Sequence, residues 1–142
     1  LIEVVSNQLE KMDVKASGEP VLQYAATIHT TRAALVAFDD FKVLATFTYK
    51  NGHYVKHMMS WHTGELFRET TFDTKVKSPQ HTLVFGFADG HNVETLRLSN
   101  EARYKQEIAI TPNEPTIIFY KKPQDLSSFG VFYLDEQGQQ VQ

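Results

Sequence analysis

The dipeptide Asn51-Gly52 stands between two runs of mixed apolar and polar residues, 41–50 and 53–62. Both residues tolerate the positive φ that a tight hairpin turn demands, so the pair is a strong short-range signal for two antiparallel strands. The register follows from the side chains. A two-residue turn sets Tyr49 opposite Tyr54 and Phe47 opposite Lys56, which puts Lys56 and Ser60 among the apolar residues of the first strand. A three-residue loop, Lys50-Asn51-Gly52, with Gly52 left-handed at a bulge, sets Tyr49 opposite His53, Phe47 opposite Val55, Ala45 opposite His57, Val43 opposite Met59 and Phe41 opposite Trp61. Opposed residues share a face, so the bulged register makes one face almost wholly apolar and is the one expected. The other face then carries Lys42, Thr46, Thr48, Lys56, Ser60 and His62, interrupted by Leu44, Tyr54 and Met58.

Before this hairpin the pattern is helical at first. In residues 1–13, Ile2, Val5, Leu9 and Met12 fall at helical spacing with Glu3, Asn7, Glu10 and Lys11 elsewhere, predicting an amphipathic helix. A loop follows at 15–20. Leu22, Tyr24, Ala26 and Ile28 alternate with Gln23, Ala25, Thr27 and His29, as a strand does. The run RAALVAF at 32–38 is rich in helix formers, and Thr30 or Thr31 suits its N-cap. The reading is a strand over 21–29 and a short helix over 31–38, with one continuous helix from Pro20 as the alternative.

Beyond His62, strand patterns recur at 65–77, 83–87, 93–99, 104–111, 116–121 and 129–134. Turn chemistry separates them at 77–80, 88–92, 99–101, 111–115 and 123–125. The fold class is therefore mainly β: about eight antiparallel strands forming a β-sandwich or small barrel, with a short N-terminal helical segment. One domain over 1–142 is expected, with a helical preface and first strand in 1–40, a β core in 41–135 and a frayed polar tail in 136–142.

Composition narrows the function classes. The 142 residues are 42% hydrophobic and 22% charged, with ten Phe and six Tyr, ordinary for a globular chain with a real core. A net charge of −3 without an evident basic cluster argues against nucleic acid and anionic membranes as partners. No apolar run is long enough to span a bilayer as a helix. The chain has no cysteine, so disulfides, thiolate metal sites and cysteine nucleophiles are excluded. A first residue other than Met suggests a processed product or an excised domain, and an extracytoplasmic location is expected.

The histidines are the first candidates for chemistry. In the bulged register His53 and His57 share a face, but at about 3.3 Å per residue they stand roughly 13 Å apart, too far to chelate one ion. No HExxH, GxSxG or phosphate-cradling glycine loop occurs, and no cofactor or metal is expected. Glu65, Glu69 and Asp73 form a carboxylate stripe that reads as solvated surface. His57 is the unusual residue: the register sets it inside, opposite Ala45 and near Phe47, Val55, Met59 and Trp61. A polar group among aromatic and aliphatic walls is how a ligand pocket is built. The first expectation is therefore a non-enzymatic, extracytoplasmic ligand-binding or sensory domain, taking a small apolar or amphipathic ligand at Phe47, Val55, His57, Met59 and Trp61. The second is a protein-interaction module in which Leu44, Tyr54 and Met58 form an outer docking patch. A hydrolase using histidine and carboxylate ranks last.

Overall fold

Val5 and Leu9, one helical turn apart, anchor the first element. The structure is a computed structural model that describes residues 1–73, 80–100, 104–121 and 129–141. Helix α1 (Ile2–Lys11) buries both side chains against a sheet and carries Glu3 in its first turn and Lys11 in its last, matching the helix dipole. It ends in a paired motif: the Val14 amide donates to the Leu9 carbonyl at 2.9 Å and the Asp13 amide to Glu10 at 3.1 Å. Asp13 sits in the left-handed region with φ 58°, the position where glycine is usual.

Strands β1 (Val21–Ile28), β2 (Thr31–Ala37), β3 (Lys42–Lys50) and β4 (His53–His62) form one antiparallel sheet in that order. The stretch expected as a helix over 31–38 is therefore strand β2, paired on both sides. The reason lies in burial. Ala33 and Leu35 face a second sheet while Ala34 and Val36 face α1, and all four are fully buried. A strand covered on both faces shows no polar alternation, so local propensity alone reads it as helix.

Thr63, Gly64 and Glu65 turn the chain into β5 (Leu66–Asp73), which pairs with β6 (Gln80–Phe87). The loop at 88–92, expected to close a hairpin, instead carries the chain to a third sheet, where β7 (Thr95–Asn100) pairs with β8 (Tyr104–Ala109). Strand β9 (Thr116–Lys121) returns to β6, and β10 (Gly130–Leu134) to β7. Of the expected turns, 123–125 lies outside the described residues, as does 77–80 apart from Gln80, which begins β6. The described residues thus hold ten strands in three open antiparallel sheets, with no closed barrel.

The layers run α1, first sheet, second sheet (β5-β6-β9), third sheet (β10-β7-β8). Alternation decides which side chain enters which layer. In β6, Val84 meets Leu35, Leu44 and Phe67 on the first sheet's side, while Leu83, Phe85 and Phe87 meet Leu96 and Leu98 on the other. Gly86 allows the close approach: a Cβ there would lie 3.1 Å from Leu35 Cδ2 and 3.3 Å from both Leu44 Cδ2 and Phe67 Cβ. The C-terminal tail, expected to fray, is held instead. Asp135 accepts from the amides of Gln137 and Gln139, Val141 donates to the Tyr133 carbonyl at 2.8 Å, and its side chain packs on the third layer's core.

Candidate functional site

The hairpin at Asn51-Gly52 closes as a two-residue turn. Asn51 has φ 51° and Gly52 φ 79°, the two positive angles whose twist matches that of paired strands. Lys50 faces His53, Tyr49 faces Tyr54 and Thr48 faces Val55; then Lys56 is bulged, and Phe47 faces His57, Ala45 faces Met59 and Val43 faces Trp61. This corrects the three-residue loop. The apolar pattern does require an extra residue, but the strand absorbs it at Lys56 rather than at the turn. A bulge exchanges faces on one side of itself only, so His57, Met59 and Trp61 keep the side expected of them while Tyr54 and Val55 change places.

That exchange redistributes the residues expected to bind. Phe47, His57, Met59 and Trp61 share the face of the first sheet that carries α1, and Val55 lies on the opposite face. Phe47 is only 2% exposed, sealed by α1 and by the Tyr54 ring at 5.5 Å in an edge-on contact. His57 was expected inside; it is exposed, with its ring 6.5 Å from that of Phe47. Trp61 is 38% exposed. The outer patch is not assembled as expected. Leu44 is fully buried between the first and second sheets, and Tyr54 lies on the α1 side with Phe47 and Tyr49. Met58 stays outward at 49% exposure, and Val55 joins its face at 40%.

Three residues that the sequence did not single out for function make defined contacts, two of them at the hairpin and one in the crossover loop. Arg32 holds its guanidinium carbon 4.7 Å from the centre of the Tyr49 ring and 5.7 Å from that of Tyr54, and donates from Nη1 to the Tyr54 hydroxyl at 2.7 Å. The sequence hides this signal because the helix formers of 32–38 place Arg32 on an expected helix. Glu69, expected on a solvated stripe, is buried: it faces the first sheet and accepts a hydrogen bond from the Ser60 hydroxyl. Burial raises its carboxyl pKa above the ordinary value. His91 is buried beside Phe87; its Nδ1 accepts from the Val93 amide at 3.1 Å and its Nε2 donates to the Glu114 carbonyl at 2.8 Å. Both ring nitrogens are used, so His91 fastens the crossover loop to the segment before β9 and is not free for chemistry. His62 likewise accepts the Gly64 amide at 3.0 Å and stacks on Phe67 at 4.1 Å.

Among the described residues no three His, Asp or Glu side chains gather in a group that could hold a metal ion. No described helix is long and apolar enough to cross a membrane. What the hairpin does present is an edge. Strand β4 pairs with β3 alone among the described residues, leaving the backbone donors and acceptors of its other side open. Val55 and Met58 project from one face of that edge and His57 and Trp61 from the other. Comparison with protein-family models, with curated proteins and with solved structures finds no match for this chain.

Proposed function

We propose that this chain is a non-enzymatic protein-interaction module that works through the open edge of β4. The observation that carries the reading is the conjunction on one strand of unpaired backbone with exposed Val55, Met58 and Trp61. Large apolar side chains on an edge normally invite unwanted pairing, and proteins blunt them with charge, proline or bulges. Here one bulge stands at Lys56, and the six residues after it, HMMSWH, carry no formal charge with histidine neutral, and no proline. A partner strand added along this segment gains main-chain hydrogen bonds and covers Trp61 and Met58 together.

A small apolar ligand has less to hold it here. Phe47 is sealed under α1, Val55 faces away from it, and His57 points to solvent.

The test is selection of random peptides from a displayed library on the immobilised protein. Recovered sequences should be rich in β-forming apolar residues on both strand faces and lose binding to the Trp61→Lys and Met58→Lys variants. Trp61 emission should shift on peptide addition. Peptides that bind both variants as well as the wild type would move the interface away from β4.

A further inference from the structure

The positive charge of this chain is not spread evenly. The sequence holds fourteen Lys and Arg against seventeen Asp and Glu, yet the four strands of the first sheet contain Arg32, Lys42, Lys50 and Lys56 and no carboxylate at all. Antiparallel pairing then sorts these cations by end. At one end Lys42 is neutralised, 3.5 Å from Asp89 and 3.9 Å from Glu65, and Asp39 and Asp40 form the neighbouring β2–β3 turn. At the other end the β1–β2 and β3–β4 turns lie side by side: Thr31 pairs with Thr48, and the Tyr49 amide donates to the Thr30 carbonyl at 2.7 Å. Residues 27–32 and 48–57, which build this tip, carry Arg32, Lys50, Lys56, His29, His53 and His57 and no acid.

Two of these cations have no counter-ion among the described residues. Arg32 is satisfied by neutral groups, the Tyr54 hydroxyl and two tyrosine faces, and its charge remains uncancelled. Among the described residues neither Arg32 nor Lys50 makes an ion pair. The open edge of β4 runs directly into the tip.

We propose that the tip docks an acidic, extended protein segment, which lies along β4 with its acidic end at the tip, against Lys50, His53 and Arg32, and its apolar end further along, against Met58 on one face and Trp61 on the other. This rests on the interaction reading above and adds the chemistry of the partner. Two features favour a peptide over a nucleic acid. The edge offers backbone N–H and C=O groups in strand register, which a peptide pairs and a phosphodiester chain does not. The remainder of the molecule carries the excess of Asp and Glu and repels a long polyanion, while a short acidic segment touches only the tip.

The experiment measures fluorescence anisotropy of labelled peptides in which a run of Val follows a run of Glu, of Gln or of Lys, and of an oligothymidylate, against wild type and the Lys50→Glu/His53→Glu double variant. The Glu peptide is expected to bind about tenfold more tightly than the Gln peptide at about 50 mM salt, with the gap closing by about 500 mM as screening shortens. The double variant, both of whose changes are at exposed positions, should keep its circular dichroism and melting curve and lose that advantage. Equal binding of Glu and Gln peptides overturns the acidic assignment while leaving the β4 edge as an interface. Failure of every peptide overturns both readings. Tighter binding of the oligothymidylate than of the Glu peptide gives the tip to nucleic acid, and a dimer in sedimentation that the double variant dissolves gives it to a second copy.

Discussion

Ser60 of β4 donates its hydroxyl to Glu69 of β5 in the layer between the first and second sheets. This ties two strands of different sheets that follow one another through the corner at Thr63, Gly64 and Glu65. The carboxylate is buried beside Phe67, with the buried Thr46 on the facing strand β3. A polar group in such a place is tolerated because it is hydrogen-bonded, though its charge remains costly.

The pH consequence has a definite sign. Burial raises the folded-state pKa of Glu69 above the ordinary carboxyl value of 4.5. A group raised on folding contributes stability that is fully present below its unfolded value and lost as pH rises through its folded value. Glu69→Gln keeps an acceptor for Ser60 and removes the charge. The variant should be more stable than wild type at pH 7, by on the order of 1 kcal/mol, and the difference should vanish below about pH 4. Urea denaturation at the two pH values measures it; a variant that loses stability at pH 7 would show that the carboxylate is held by a favourable field instead.

Gly86 sets the distance between the first two sheets, and this predicts coupling rather than simple loss. Gly86→Val forces a branched side chain against Leu35, Leu44 and Phe67 and should cost about 1–3 kcal/mol by overpacking. Leu35→Ala alone empties a buried site and should cost about 2–5 kcal/mol. Placed together, the new methyl groups at 86 fill part of the space vacated at 35, so the double variant should be more stable than the sum of the two losses implies. Additive losses in a double-mutant cycle would mean the sheets separate rather than repack.

Much of this architecture was legible because it follows local rules. The Asn51-Gly52 turn, the α1 stripe of Val5 and Leu9, and the alternation of Leu83, Phe85 and Phe87 each report one face against one layer. The failures share a cause. RAALVAF carries a helical pattern because both its faces are covered, a fact that belongs to the second sheet and to α1 rather than to the segment itself. Leu44 looked like an outer patch for the same reason. The place of the bulge was also hidden: the apolar pattern demanded one extra residue without saying where, and Lys56 rather than the turn absorbs it. Glu69 resembled its neighbours on a charged stripe, since nothing local shows that β5 lies under β4 at that point. The basic tip is hidden in the sequence because Arg32, Lys42, Lys50 and Lys56 are well separated along the chain. Only the hairpin pairings bring three of them to one end.

Asp13 offers the last prediction, and it is a gain in stability. The residue follows the C-terminus of α1 in the left-handed region, where an L side chain crowds the backbone. Its amide and that of Val14 cap the carbonyls of Glu10 and Leu9, so the conformation is required by the cap and cannot relax without losing both bonds. Asp13 also places a negative charge at the negative end of the helix dipole. Asp13→Gly removes the strain and the charge together, offset in part by the greater freedom of glycine in the unfolded chain. The net effect should be a stabilisation of about 0.5–1 kcal/mol. Asp13→Asn, which removes the charge but keeps a side chain, should recover part of it. Asp13→Ala, which keeps the strain without the polar side chain that eases it, should gain less than either. Thermal melts of the three variants give the order; Asp13→Ala equal to Asp13→Gly would show that only the charge matters at this cap.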